Sequence, residues 1–427
     1  MNKRVLTRRD LLGRSAAALA APYVLTSAAI GNAQTKAASE RLTMGFIGIG
    51  NMGGGHLGGL CGNGQVQILA ISDVKRKVAE GGKARVEGAY AGRDGSQYKG
   101  CDLYNDFRDL LARDDIDAVL IAVPDHWHAT CAVLAARAGK DIYCEKPLSL
   151  TVREAELMVQ AARRYGRVFQ TGSQQRSEGN FRFACELVRN GYIGKLERVN
   201  VGIGAPSVDK FLPEEPIPEG VDWDRWLGPS PWHPYNSERI SGNYGGGWRH
   251  IRDTSGGMTT DWGAHHYDIA QWGMGMDGFG KGPGEIIPPD GKEFKDITFR
   301  YPTGVVMQRG GANGILFTGT EGKVEVNRGY LRTWPDSLMK VQIKPGETHL
   351  YKSPGHHQDW FNCIRTRTRP VADVEIGAST ITVCHLSNIA WWLNRALKWD
   401  PVKREILGDD EAARWLDRPK REPYNWI

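Results

Sequence analysis

The sequence predicts an α/β protein: an N-terminal doubly wound parallel sheet, followed by a C-terminal α+β domain with a large mixed or antiparallel sheet. Three observations carry this expectation. From Leu42 to Gly172, apolar strand-like runs alternate with helical segments over short connections, the pattern of a parallel sheet covered on both faces. A glycine-rich turn, Gly48-Ile49-Gly50-Asn51-Met52-Gly53, follows the first of those runs. After about residue 175 the pattern changes to a proline-punctuated stretch and then to short strands separated by glycine-containing turns.

The first 35 residues read as targeting rather than fold. Thr7-Arg8-Arg9-Asp10-Leu11-Leu12 is a twin-arginine pattern, followed by an Ala-rich stretch from Ala16 to Ala21 and a small-x-small cleavage candidate, Gly31-Asn32-Ala33. Arg14 and Pro22 interrupt the segment well short of the ~20 apolar residues a spanning helix needs. The expectation is export by the twin-arginine machinery to the periplasm, without stable membrane insertion. Residues 40–174 are expected to form the first domain and 175–427 the second, with the C-terminal helices packing back on the first.

Within the first domain, Thr43 to Gly48, Gln67 to Asp73, Asp117 to Pro124, Asp141 to Cys144 and Val168 to Gly172 read as strands. A helix is expected from about His128 to Arg137, stopped by Gly139. Thr151 with Glu154 forms a capping box for the next helix, whose apolar stripe is Ala155, Met158, Val159 and Ala162. In the second domain, Asp296 to Tyr301, Gly304 to Gln308, Gly314 to Gly319 and Lys323 to Asn327 read as strands, and Asp359 to Arg369 and Ala378 to Leu397 as helices.

Charge and cysteine usage exclude several classes. A net charge of +6 over 427 residues, with Lys and Arg spread along the chain, offers no basic patch for nucleic acid. The seven Cys (61, 101, 131, 144, 185, 363, 384) form no CxxC pair and no zinc spacing, which points to buried free thiols. The 14 Trp suit core packing, or stacking of sugar rings against a flat apolar face.

Gly48, Gly50 and Gly53 open a tight turn onto a helix N-terminus. Gly48 makes the turn, Gly50 leaves room for a pyrophosphate, and Gly53 lets helix and strand approach. Asn51 and Met52 sit between them as backbone contacts. An acid, Asp73, ends the second strand 20 residues after Gly53, where a carboxylate takes the ribose hydroxyls of NAD. This is a Rossmann fingerprint with NAD favoured over NADP, although Lys75 and Arg76 follow the acid. Pro124, His126 and His128 leave the carboxyl end of a buried strand, the edge on which such sheets bind ligands. The two histidines there are either cofactor or substrate contacts or plain loop residues. Glu145 and Lys146 end the next strand on the same edge, where Lys146 can donate to a ribose, a carboxamide or a substrate oxygen.

Taken together, GxGxxG, the acid after the second strand and Glu145-Lys146-Pro147 resemble the Gfo/Idh/MocA family (glucose–fructose oxidoreductase, inositol dehydrogenase, rhizopine catabolism) over residues 42 to 400. The resemblance implies that Lys146 lies between nicotinamide and substrate, and that the Lys146–Pro147 bond is cis. Gly256-Gly257-Met258-Thr259-Thr260-Asp261-Trp262-Gly263-Ala264-His265-His266-Tyr267-Asp268 resembles the family's second signature. Spacings of four and three would place Asp261, His265 and Asp268 on one helical face, with Trp262, His266 and Ile269 turned towards packing. Asp261 beside His265 would orient the imidazole and stabilise its charged form, as a general base requires; the resemblance implies the same roles. A zinc site drawing on Asp261, His265, His250 and His266 is the rival reading, disfavoured by the pairing with Glu145-Lys146-Pro147, and no metal is expected. Arg176, Trp248, Arg249 and His266 are candidate substrate contacts, and His356 and His357 could also reach the cleft.

The resemblance implies hydride transfer between a sugar, glycoside or polyol hydroxyl and NAD, in a homodimer or homotetramer. Alternatives are a redox-neutral NAD-dependent glycosidase or epimerase, and a sugar-binding protein without catalysis. An export signal on a nicotinamide enzyme further suggests a cofactor loaded before export and kept bound.

Overall fold

The computed structural model describes residues 37–94, 99–242, 244 and 246–427; the twin-arginine signal expected at residues 1–35 lies outside them. Six parallel strands form the first sheet: β1 (Leu42–Ile47), β2 (Val66–Ser72), β3 (Asp102–Tyr104), β4 (Ala118–Ile121), β5 (Asp141–Cys144) and β6 (Phe169–Thr171), in the order β3-β2-β1-β4-β5-β6. Every residue of β4 and β5 is buried, as strands covered on both faces must be. The helices are α1 (Asn51–Cys61), α2 (Arg76–Asp94), α3 (Phe107–Leu111), α4 (Asp125–Arg137) and α5 (Val152–Arg164).

Helix α5 shows how local sequence sets an element. The Thr151 side chain accepts from the Glu154 N–H at 3.1 Å, and the Glu154 carboxylate turns back to accept from the Leu150 N–H at 3.0 Å. Ala155, Met158, Val159 and Ala162 are all buried against the core. Helix α4 begins at Asp125, three residues before the expected start, because Pro124 with its fixed φ serves as N-cap.

The second domain holds α6 (Gly179–Arg189), β7 (Leu196–Val201), α7 (Trp223–Leu227), α8 (Ser237–Ile240), α9 (Met258–Asp261) and α10 (Gly263–Met274). Then follow β8 (Glu285–Ile287), β9 (Thr298–Arg300), β10 (Val306–Arg309), β11 (Ile315–Gly319), β12 (Lys323–Asn327), β13 (Tyr330–Trp334), α11 (His356–Thr366), α12 (Val374–Leu393), β14 (Leu397–Asp400) and β15 (Glu405–Ile406). Its nine-stranded sheet runs β13-β12-β11-β7-β10-β9-β8-β14-β15 and is mixed, since β7 and β10 are parallel and the other pairs antiparallel. Helix α12 stops at Leu393 rather than 397: Asn394 takes a left-handed cap, and Leu397 pairs with Ile286 at the sheet edge.

Chain order crosses between the domains late. Trp360 and Phe361 of α11 join the core of the parallel sheet beside Tyr143, and the Thr171 N–H donates to the Ala372 carbonyl at 2.8 Å. Helix α12 is apolar on nearly every side because it packs against both α5 and α10. All seven cysteines are buried thiols outside any disulfide. No helix of the described residues is long and apolar enough to cross a membrane.

Candidate active site

A cavity of about 770 Å³ opens along the carboxyl edge of the parallel sheet. Gly48 turns at φ +78°, where a Cβ would stand 2.8 Å from the Ala122 carbonyl oxygen. A Cβ on Gly53 would stand 2.2 Å from the Gly48 carbonyl oxygen, so Gly53 serves close helix–strand packing and does not line the cavity. A Cβ on Gly50 would meet nothing within 4 Å, and Gly50 caps α1 without a side-chain acceptor. The turn therefore leaves open space at a helix N-terminus, the cradle a pyrophosphate occupies. Asn51 and Met52 line the same wall.

Asp73 lines the cavity on the β2 side and accepts from the N–H groups of Ile49 at 3.0 Å and Lys75 at 2.9 Å. Burial raises its carboxyl above the ordinary range against those bonds, and burial likewise lowers the Lys75 ammonium. A segment of the second domain straps the cavity here. Asp222 donates its N–H to the Val74 carbonyl at 3.0 Å, the Arg76 N–H donates to Gly220 at 2.9 Å, and Asn51 Nδ2 donates to the Gly242 carbonyl at 2.5 Å. The strap is stiffened by Trp223 stacked on Trp226, with ring centres 4.9 Å apart.

At the β4–β5 side the two domains meet. The Lys146–Pro147 bond is cis. Lys146 Nζ donates to Asp261 Oδ1 at 2.8 Å, and Arg249 Nε lies 3.5 Å from the same oxygen. The guanidinium of Arg249 lies over the rings of Trp248 (4.3 Å) and Tyr244 (4.9 Å). His265 lines the cavity, and its Nδ1 is buried without a hydrogen-bond partner among the described residues. Burial, reinforced by the positive charge of Lys146 and Arg328, pushes its imidazole well below the ordinary range. It is therefore a neutral base with a free nitrogen.

This corrects the single helical face expected for Asp261, His265 and Asp268. The helix breaks at Trp262, so Asp261 ends α9 and His265 lies in α10. Asp261 turns to Lys146, whose full charge outcompetes a neutral imidazole. Asp268 is buried away from the cavity in a fork–fork pair with Arg176, at 2.7 and 2.9 Å. Arg176 is 2 % exposed and also reaches Asp277 at 3.0 Å; it is a structural ion pair and not a substrate contact. His266 donates from Nδ1 to the Gly202 carbonyl (2.7 Å) and does not line the cavity.

His126 and His128 are also corrected. His126 Nε2 meets the Trp226 carbonyl at 2.9 Å, and His128 Nδ1 the Pro147 carbonyl at 2.7 Å. Both are buried and neither lines the cavity; His126 holds the strap and His128 the Lys146–Pro147 turn. Pro124, Glu145, Trp248 and Arg249 do line the cavity. Glu145 meets His56 Nε2 at 2.8 Å and accepts from Gln174 Nε2 at 2.8 Å. Burial works to raise the Glu145 carboxyl, but His56 and Lys146 bring it below the ordinary range. His356 and His357 pack behind it against Tyr143.

Sequence reading missed Asp125, Trp262 and Arg328, which all line the cavity. Asp125 carried a signal, as an acid opening a helix at the carboxyl end of a buried strand. Trp262 was assigned to packing on helical periodicity that the break at 262 cancels. Arg328, over Trp262 at 5.0 Å, comes from the β12–β13 turn and carried no signal. No group of three or more His, Cys, Asp or Glu among the described residues is arranged to hold a metal.

The glycine cradle and Asp73 fit a dinucleotide. Gly48, Gly50, Asn51 and Met52 would hold its phosphates and Asp73 a ribose, and the bound nicotinamide supplies hydride exchange. Residues 42–173 match the family described as "Oxidoreductase family, NAD-binding Rossmann fold", and residues 206–426 its C-terminal alpha/beta domain. The uncharacterized oxidoreductase YrbE of Bacillus subtilis is 28 % identical over 262 residues, covering 61 % of this chain and 62 % of that protein. The myo-inositol 2-dehydrogenase of Thermotoga maritima is 27 % identical over 240 residues, covering 55 % and 56 %. The chain thus spans less than two thirds of the length of either relative. The aldose-aldose oxidoreductase of Caulobacter crescentus, solved with glycerol, shares the fold at a TM-score of 0.58 and 19 % identity, over 84 % of this chain and 99 % of that one. Both domains match in chain order, and the first carries the NAD-binding fold: the chain belongs to the Gfo/Idh/MocA oxidoreductase family.

Proposed function

We propose that this oxidoreductase transfers a hydride between the CH–OH group of a sugar, glycoside or polyol and NAD. One observation carries the reading: Lys146 of the first domain and Asp261, Arg249 and His265 of the second line one cavity, and Lys146 and Asp261 meet across it. His265, neutral and with a free buried nitrogen, takes the hydroxyl proton. Lys146, steadied by Asp261, stabilises the oxygen as it becomes a carbonyl. Trp248, Trp262 and Arg249 line the same cavity, where indole faces beside a guanidinium suit a sugar ring. Mixing the NAD-loaded protein with a panel of polyols, aldoses and glycosides tests this. The expected result is substrate-dependent absorbance in the reduced-nicotinamide band. Release of free sugar without net reduction would assign a redox-neutral glycosidase instead.

The remaining expectations belong to the same proposal. Export by the twin-arginine route would leave the protein in the periplasm with its cofactor loaded beforehand, and the strap at 220–242 supports retention. Periplasmic protein, dialysed exhaustively, should be active without added nucleotide; activity only with millimolar NAD would refute retention. The open nine-stranded sheet favours a homodimer or homotetramer, and light scattering giving a monomer at micromolar concentration would refute it.

A further inference from the structure

Asp125 opens α4 at the carboxyl end of β4 and is 1 % exposed, yet lines the cavity. Its Oδ2 accepts from the Ser255 hydroxyl at 2.6 Å. Its Oδ1 is buried and has no hydrogen-bond partner among the described residues. Burial pushes this carboxyl up to about 7; Asp261 adds to the rise, while the Ser255 hydrogen bond, Arg249 and Lys146 oppose it. An acid so placed changes charge near neutrality without any cation committed to it.

Sheet order fixes which end of a dinucleotide lies here. Asp73 follows β2, the glycine turn follows β1, and Asp125 and Lys146 follow β4 and β5 on the other side of β1. A dinucleotide with its ribose at Asp73 and its pyrophosphate at the turn brings its nicotinamide to β4 and β5. The groups facing Asp125 are Lys146 after β5, Arg249 and Ser255 of the strap's return and Asp261 of α9; Arg328 lies over Trp262 on the same cavity, and Glu145 is taken by His56. Lys146 and Arg249 share the carboxylate of Asp261, and Asp125 adds a second carboxylate beside them when it is ionised. An oxidised nicotinamide ring adds a further positive charge in a buried site, and a reduced one adds none. The cost of uncompensated charge in low dielectric then favours an ionised Asp125 with the first and a protonated one with the second.

We propose that Asp125 balances charge at the nicotinamide end of the cavity: it is ionised beside NAD⁺ and takes up one proton when NADH takes its place. The inference rests on NAD binding alone and not on the identity of the substrate.

The test is equilibrium dialysis of the full-length protein against equimolar NAD⁺ and NADH from about pH 6 to about pH 8, continued until samples preloaded with either form converge. The two forms differ only in the nicotinamide ring, so effects at the adenosine end cancel in the bound ratio. Burial lowers the imidazoles of His265, His126 and His128, His126 down to about 4. The bound NADH:NAD⁺ ratio should fall as pH rises, by up to about tenfold per pH unit where proton uptake is complete. Asp125→Asn should flatten it. Ser255→Ala, which removes a hydrogen bond that favours the carboxylate, should move the fall to higher pH, and this variant carries the test if Asp125→Asn does not fold. A flat ratio in the unaltered protein, the same slope in Asp125→Asn, or no displacement in Ser255→Ala would overturn the proposal.

Discussion

The two walls of the cavity are built by different means. The wall from the first domain is set on backbone features, namely a glycine turn, a helix N-terminus and the ends of buried strands, from which the charged side chains of Asp73, Asp125, Glu145 and Lys146 reach the cavity. The facing wall, from residues 244–265 and the β12–β13 turn, is made of side chains: Arg249 sandwiched by Trp248 and Tyr244, Asp261 between two cations, and His265 and Trp262 at the break between two helices. Backbone recognition suits an invariant ligand such as a dinucleotide, whereas a wall of packed side chains can be changed residue by residue to suit a substrate.

The strongest way to break this comparison is to remove the groups where the walls touch. Lys146→Ala, Asp261→Ala and His265→Ala should each lower turnover by ~10²–10⁴ with the fold kept. Near-full turnover in His265→Ala with the best polyol would show that the second wall only binds. Next in size is Asp268→Ala, which leaves the buried guanidinium of Arg176 with Asp277 alone. It should cost about 3–5 kcal/mol of stability, read as a fall in the urea midpoint; an unchanged midpoint would return Asp268 to a functional role. Gly53→Ala sharpens the backbone side. Its Cβ would meet the Gly48 carbonyl at 2.2 Å, so stability should fall by about 1–3 kcal/mol and NAD should bind more weakly. Gly55→Ala, whose Cβ meets nothing within 4 Å in the same helix, should instead be neutral or gain up to about 1 kcal/mol by thermal melting. Smallest is Thr151→Ala, which removes the α5 cap and should lower stability by about 1 kcal/mol without altering NAD affinity.

Legibility followed the same division. The glycine turn, Asp73, the Thr151 cap and the Lys146 strand end were visible because each depends on neighbours a few residues away. His265 lines the cavity, but the partner of Asp261 was not legible, because the choice of Lys146 rather than imidazole is made across 115 residues. Arg176, His126, His128 and His266 carry polar side chains that single-sequence reading cannot tell from ligands: what satisfies each is a carbonyl or carboxylate brought in from elsewhere.

By itself the sequence determined that a parallel sheet would form, where its glycine turn would lie, and which acid would follow the second strand. These rest on periodicity, glycine's freedom at positive φ and short connections, all local properties of the chain. Only the tertiary structure decided that the helix breaks at Trp262, that a strap from 220 to 242 covers the cofactor turn, and that Asp125 is sealed in with one oxygen unpaired. The physical reason is that burial and charge pairing are properties of the space a residue shares with distant segments, and that space exists only once both sheets have packed.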